Sequence, residues 1–139
     1  MVLTSDQKKK LAFIETCLAD LASLARLDAI AADVREERFV EHTLQIAIQA
    51  AMDVASHVVS DARMGEPTTQ RELFELLARH VWLEIEVAER LRRMVGFRNV
   101  LVHGYAAVDP AIVRDVVEHH LGDLVDFVAA VRRRLADPA

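Results

Sequence analysis

The sequence predicts an all-α fold, an antiparallel bundle of four long helices and one short one, and two observations carry that prediction. The chain of 139 residues is 53% hydrophobic yet contains only four Gly and three Pro. Its usage of Ala, Leu, Val, Glu and Arg suits helix far better than strand. Along most of its length the apolar residues recur at spacings of three and four, the repeat of a single helix face. The length fits one domain, residues 1–139, around a single core. No internal repeat or low-complexity tract divides it.

The first helix is expected from about Asp6 to Arg26, with Thr4 or Ser5 as cap and Leu11, Ile14, Leu18, Leu21 and Ala25 as its stripe. The second is expected from Val34 to Arg63, where Leu44, Ala47, Ile48, Ala51, Met52, Ala55, Val58, Val59 and Ala62 keep the period for about five turns. Gly65-Glu66-Pro67-Thr68-Thr69 reads as a loop, and Thr68 or Thr69 can cap a short helix carrying Leu73, Phe74, Leu76 and Leu77. A further helix is expected from about Leu83 to near Val102, with Val87, Leu91, Met94 and Val95 facing inward. Gly104 ends that run. Asp109-Pro110 then starts the last helix, with Asp as N-cap and Pro at the position where its missing N–H costs nothing. That helix is expected to run from about Pro110 to Leu135, on a stripe of Val113, Val116, Val117, Leu121, Leu124, Val128, Val131 and Leu135.

Composition excludes several classes. The lone Cys17 cannot form an internal disulfide, and nothing points to an oxidising compartment, so the expected location is the cytoplasm. Lys8-Lys9-Lys10 leads into a stretch with Glu15 and Asp20 and no small-residue cleavage site, unlike a signal peptide. No apolar run reaches the roughly 18 residues that span a membrane. The formal net charge of −5 argues against a broadly basic nucleic-acid surface, so any RNA contact must be local. Arg90, Arg92, Arg93 and Arg98 form one cluster and Arg132, Arg133 and Arg134 another. Each also reads as a solvated helix face.

With six His and fourteen Arg in the chain, spacing alone proves little, and the chain holds its own decoy. Arg114 and His119 repeat the Arg-x4-His spacing of Arg98 and His103, but they lie in the middle of the last expected helix, where five residues place them about 140° apart around the axis. Gly104 sets the other pair apart: it signals a helix end, so His103 is expected to leave helical geometry and turn back toward the long Arg98 side chain. A convergent Arg and His, without acidic metal-ligand clusters, suit RNA cleavage by its own 2′-hydroxyl. Imidazole titrates near neutrality and can move the proton, while the planar, permanently charged guanidinium matches the anionic phosphorus centre. The Asn99 amide can orient substrate or imidazole. One His is too few for both acid and base, which a two-fold homodimer would remedy.

Gln49, Asp53 and His57 line one face of the second helix. The stripe reads as a solvated face, as an internal Asp53–His57 pair, or as support for the site, with Asp53 fixing the His103 tautomer or pairing with Arg98. Two ligands, Asp53 and His57, do not complete a zinc site, and no metal or other cofactor is expected. Tyr105, the only tyrosine, follows two residues after His103 and beyond the expected helix end, where its hydroxyl is either accessible or packed on the bundle.

The run Met94-Val95-Gly96-Phe97-Arg98-Asn99-Val100-Leu101-Val102-His103-Gly104-Tyr105 resembles the HepT-like toxin branch of the HEPN superfamily, whose hallmark is Arg-x4-His-x-Tyr after Gly-Phe-Arg-Asn. The segment from Arg38 to His57 is similar to that family's second helix, and Arg71-Glu72-Leu73-Phe74 to the helix before the motif, so most of the chain from Asp33 to Phe127 is covered. The resemblance implies a helical bundle that homodimerises, with Arg98 and His103 of both subunits in a shared cleft, acting as a metal-independent endoribonuclease of a toxin–antitoxin system. It also implies a small nucleotidyltransferase as cognate antitoxin, transferring AMP from ATP to Tyr105. A bulky, negatively charged group there would block the site and compete for Arg98. The family pattern further implies a glycine-containing turn near His80-Val81-Trp82, where this chain has none. Some members of the superfamily bind without cutting. The alternative is therefore a non-catalytic nucleotide- or RNA-binding helical partner of a nucleotidyltransferase, and beyond it a purely structural dimerising bundle.

Overall fold

Helix formation in this chain follows its caps and its apolar period, and the computed structural model, which describes residues 4–103 and 108–136, shows six α-helices and, among the described residues, no strand. Helix α1 spans Ser5–Leu24, with the Thr4 hydroxyl accepting the Gln7 N–H as N-cap. A 3-10 turn at Leu27–Ala29 leads into α2, Val34–Asp61, capped by Asp33 through the Arg35 N–H. Helix α3 covers Glu72–Arg79, α4 Ile85–His103, α5 Pro110–His119 and α6 Leu121–Ala136.

Helix α2 is the centre of the bundle. It touches α1 and α3 to α6, and one broad face of it is buried, Val40, Leu44, Ala50, Val54 and Val58 included. The opposite face carries the exposed His42, Ser56 and Ser60 and the half-buried stripe of Gln49, Asp53 and His57. Phe74 of α3 and Phe127 of α6 meet edge to face, 5.8 Å between centroids at 84°, and close the core between those helices.

Two expectations are corrected. The last helix is not continuous: His120 breaks it, at φ −123° and ψ 0°. The apolar period runs through the break without a phase change, which is why the sequence reads as one helix. The interruption falls among His119, His120 and Gly122, all weak helix formers. Beyond it, buried Asp123 in the first turn of α6 is held by Arg90 Nε of α4 at 2.8 Å, with Arg90 also reaching Asp126 at 3.3 Å.

The turn after α3 has glycine geometry without glycine. Val81 takes φ 63°, and the Trp82 N–H donates to the Leu77 carbonyl at 2.8 Å while the Val81 N–H donates to the Ala78 carbonyl at 3.1 Å. These bonds close the α3 C-terminus as a Schellman turn. A β-branched residue in this left-handed position costs about 1–2 kcal/mol. Trp82 follows half-buried, with the Arg134 guanidinium 5.5 Å above its ring, which ties the turn to α6.

Candidate active site

Arg98 lies in the penultimate turn of α4, facing α2, and its surroundings are neutral. Nη2 donates to Gln49 Oε1 at 2.5 Å and Nη1 to Asn99 Oδ1 at 3.1 Å. Nε is buried and meets no acceptor among the described residues. Nor does any carboxylate among them pair with Arg98, although thirteen ion pairs occur elsewhere. Two amides therefore orient the guanidinium without neutralising it, and its donor capacity exceeds what the protein supplies.

Gln49 passes the arrangement on. Its Nε2 donates to Asp53 Oδ1 at 2.9 Å, and Asp53 Oδ2 lies 3.6 Å from Lys10 Nζ of α1. Helices α1, α2 and α4 are thus joined by one polar line, Lys10, Asp53, Gln49, Arg98, Asn99. The expected direct Asp53–Arg98 contact is replaced by one through Gln49, because the four-residue step along α2 places the Gln49 amide between them. His57, a further turn along α2, stays outside the line: its Nε2 is buried without a hydrogen-bond partner among the described residues. Asn99 spends its oxygen on Arg98, which leaves its NH2 group as a donor.

The expectation that His103 leaves the helix is also corrected. His103 is the last residue of α4 and its side chain is exposed. With helical geometry kept through all five steps, Arg98 and His103 project about 140° apart. Within one subunit they do not turn toward each other. Near His103 on the same helix, Val100 and Val102 are 53% and 37% exposed. Tyr105 lies outside the described residues.

Of the arginine cluster on α4, two members serve the fold. Arg90 is engaged by Asp123 and Asp126, and Arg92 by Glu75 at 3.0 Å and Glu89 at 3.1 Å. In the C-terminal cluster Arg132 pairs with Glu15 at 2.7 Å, and that guanidinium holds the Glu15 carboxyl below its ordinary value. The decoy pair is occupied as well: Arg114 is bound by Asp28 at 2.8 Å and by Glu118. Sequence reasoning placed Gln49 on the right face without linking it to Arg98, and it missed Lys10. The four-residue spacing of Gln49 and Asp53 was a signal for the first, and nothing local pointed to the second. No group of three His, Cys, Asp or Glu side chains suited to a metal ion occurs among the described residues, and no helix there is long and apolar enough to cross a membrane.

The sequence and fold are similar to those of known proteins. The ribonuclease HepT-like family matches residues 14–131. The chain is 35% identical over 89 residues to the mRNA nuclease HepT of Shewanella oneidensis, a match covering 64% of this chain and 67% of that protein. It is 33% identical over 84 residues to the tRNA nuclease HepT of Aphanizomenon flos-aquae, covering 60% of this chain and 57% of that one. Among solved structures, a tri-AMPylated Shewanella oneidensis HEPN toxin in complex with an MNT antitoxin superimposes with a TM-score of 0.87 at 28% identity, over 94% of this chain and 99% of the other.

Proposed function

The chain belongs to the ribonuclease HepT-like family of HEPN proteins, and we propose that it is a metal-independent endoribonuclease toxin that works as a homodimer in the cytoplasm. Its site is made of Arg98 and His103, supported by Asn99, Asp53 and His57. The observation that carries this reading is the state of Arg98, a half-buried guanidinium held by amide oxygens and left with its full charge. A phosphate in transfer needs such a cation, and an arginine already engaged by carboxylates cannot supply one.

In the proposed reaction the RNA 2′-hydroxyl attacks the adjacent phosphorus. One His103 takes the hydroxyl proton, the P–O5′ bond breaks, and the second His103 of the dimer returns a proton to the departing 5′-oxygen. The product is a 2′,3′-cyclic phosphate. Arg98 balances the charge that accumulates on the phosphoryl oxygens, and the Asn99 NH2 group is placed to bond substrate. Divergence of Arg98 and His103 within one subunit supports a site shared by two. The exposed Val100 and Val102 supply apolar surface near His103 for subunits to bury. The solved toxin–antitoxin complex supports a nucleotidyltransferase as the cognate antitoxin, and AMP transfer to Tyr105 as its means of neutralisation.

The test is cleavage of cellular RNA by the purified protein in excess EDTA, beside Arg98→Ala and His103→Ala, after the mass of the Tyr105 peptide has shown it unmodified. Cyclic-phosphate ends from the wild type, lost in both variants, are expected. No cleavage of any RNA class by the unmodified dimer would instead make the chain a non-catalytic, nucleotide- or RNA-binding partner of a nucleotidyltransferase.

A further inference from the structure

Gly96 stands two residues before Arg98 and three before Asn99 on α4, and the place where its side chain would be is taken by another residue. A Cβ built there would lie 3.1 Å from Arg71 Nη2, 3.7 Å from Cζ and 3.9 Å from Nε. The Arg71 guanidinium, projecting from the start of α3, is thus laid against the backbone of α4. Three residues span about 300° of helix turn and about 4.5 Å of rise, so Gly96 and Asn99 share a face. Arg71 and Arg98 accordingly approach Asn99 from two sides, Arg98 by its hydrogen bond and Arg71 along the helix.

Arg71 has no ion pair among the described residues, and the acids around it are committed. Glu72 accepts from the Thr68 N–H at 2.9 Å and its hydroxyl at 2.7 Å, bonds that hold its carboxyl below its ordinary value. Glu75 is engaged by Arg92 and Arg79. Arg71 shares one shallow hollow with Thr69, Gln70 and Asn99, and Thr69 and Gln70 also border a second, which carries Gln49 and Asp53. The two hollows meet at Thr69 and Gln70, and the residues that hold Arg98 border them, Gln49 one and Asn99 the other. Among the described residues neither Arg71 nor Arg98 pairs with a carboxylate.

We propose that Arg71 is a second phosphate-binding residue, gripping the phosphodiester next to the one Arg98 neutralises, and that the absent side chain of Gly96 is what seats it. The inference rests on the ribonuclease reading of Arg98 and assigns Arg71 to RNA binding. Extended single-stranded RNA is the ligand this fits, because a surface with a guanidinium at each of two neighbouring points reads backbone charge and not base identity.

The experiment measures binding of a single-stranded, 2′-O-methylated RNA, which cannot be cleaved, by the full-length dimer over a range of salt. Arg71→Gln should bind roughly tenfold more weakly, and the slope of log affinity against log salt should shrink by about 0.7, the loss of one phosphate contact. With cleavable RNA the loss should fall on KM, whereas Arg98→Ala should lower kcat. Gly96→Ala keeps the charge and displaces its seat. It should weaken binding in the wild-type background and add nothing in the Arg71→Gln background.

Wild-type affinity and slope in Arg71→Gln overturn the proposal. An equal cost of Gly96→Ala in both backgrounds overturns the seating role. If the wild type binds RNA with the expected Arg71 dependence yet never cuts, the ribonuclease reading fails while the phosphate site stands.

Discussion

Arg98 and Arg114 begin the same six-residue pattern, each followed at the same distance by a histidine, and the structure treats them in opposite ways. Arg114 is bound by the carboxylates of Asp28 and Glu118, which raise its affinity for its proton still further and cancel its charge. Arg98 is held by the amide oxygens of Gln49 and Asn99. Both are oriented, but Arg98 alone is left as a cation with something to bind. Their histidines differ too. Each closes its helix, but His103 lies near the exposed Val100 and Val102, whereas His119 faces Glu118 at 3.7 Å. What separates a site from a coincidence of spacing is therefore the chemistry of the groups holding the arginine: amides orient a charge, and carboxylates consume it.

The sharpest way to break this comparison is to remove both arginines in turn. Arg98→Ala should lower RNA cleavage on the order of 100- to 1,000-fold, the scale of losing one charge-stabilising donor. Comparable losses from Arg114→Ala would end the distinction. Next in size, Gln49→Glu makes Arg98 resemble Arg114 by placing a carboxylate at the same distance. Cleavage should fall by roughly tenfold or more as the new ion pair competes with phosphate, while the fold persists by circular dichroism.

A stability control sharpens the result. Val81→Gly relieves a left-handed β-branched residue far from both arginines and should gain about 0.5–1 kcal/mol after the entropy of the added glycine is subtracted. Calorimetry should show Tm higher by about 2–4 °C. Combined with Arg98→Ala it should raise Tm without restoring cleavage, and recovered activity would mean that Arg98 had acted through stability. Smallest is Arg114→Ala itself. Cleavage should stay within about twofold of wild type, and any fall in Tm should shrink as salt screens the exposed pairs.

Much of the fold was legible because its causes are local. The Thr4 and Asp33 caps, the loop at 65–69 and the Asp109-Pro110 start each act within a turn of the residues that show them. The break at His120 was not legible, since the apolar stripe runs through it and the Arg90–Asp123 contact beside it joins residues 33 apart. The turn at Val81 was expected to need glycine, and the hydrogen bonds from Val81 and Trp82 close it without one. In the site, the motif residues drew attention to the end of α4 and the stripe to Gln49 and Asp53. The Arg98–Gln49 bond spans 49 residues and has no local signature.

By itself the sequence determined where the helices form, which faces they bury and which short run carries the family pattern, because period, caps and motif are properties of residues within a few positions of one another. Tertiary structure alone decided that Gln49 holds Arg98, that Asp28 occupies Arg114, and that Arg71 lies over Gly96. Most of these contacts depend on the angle and offset at which separate elements pack, and no interval along the chain encodes them.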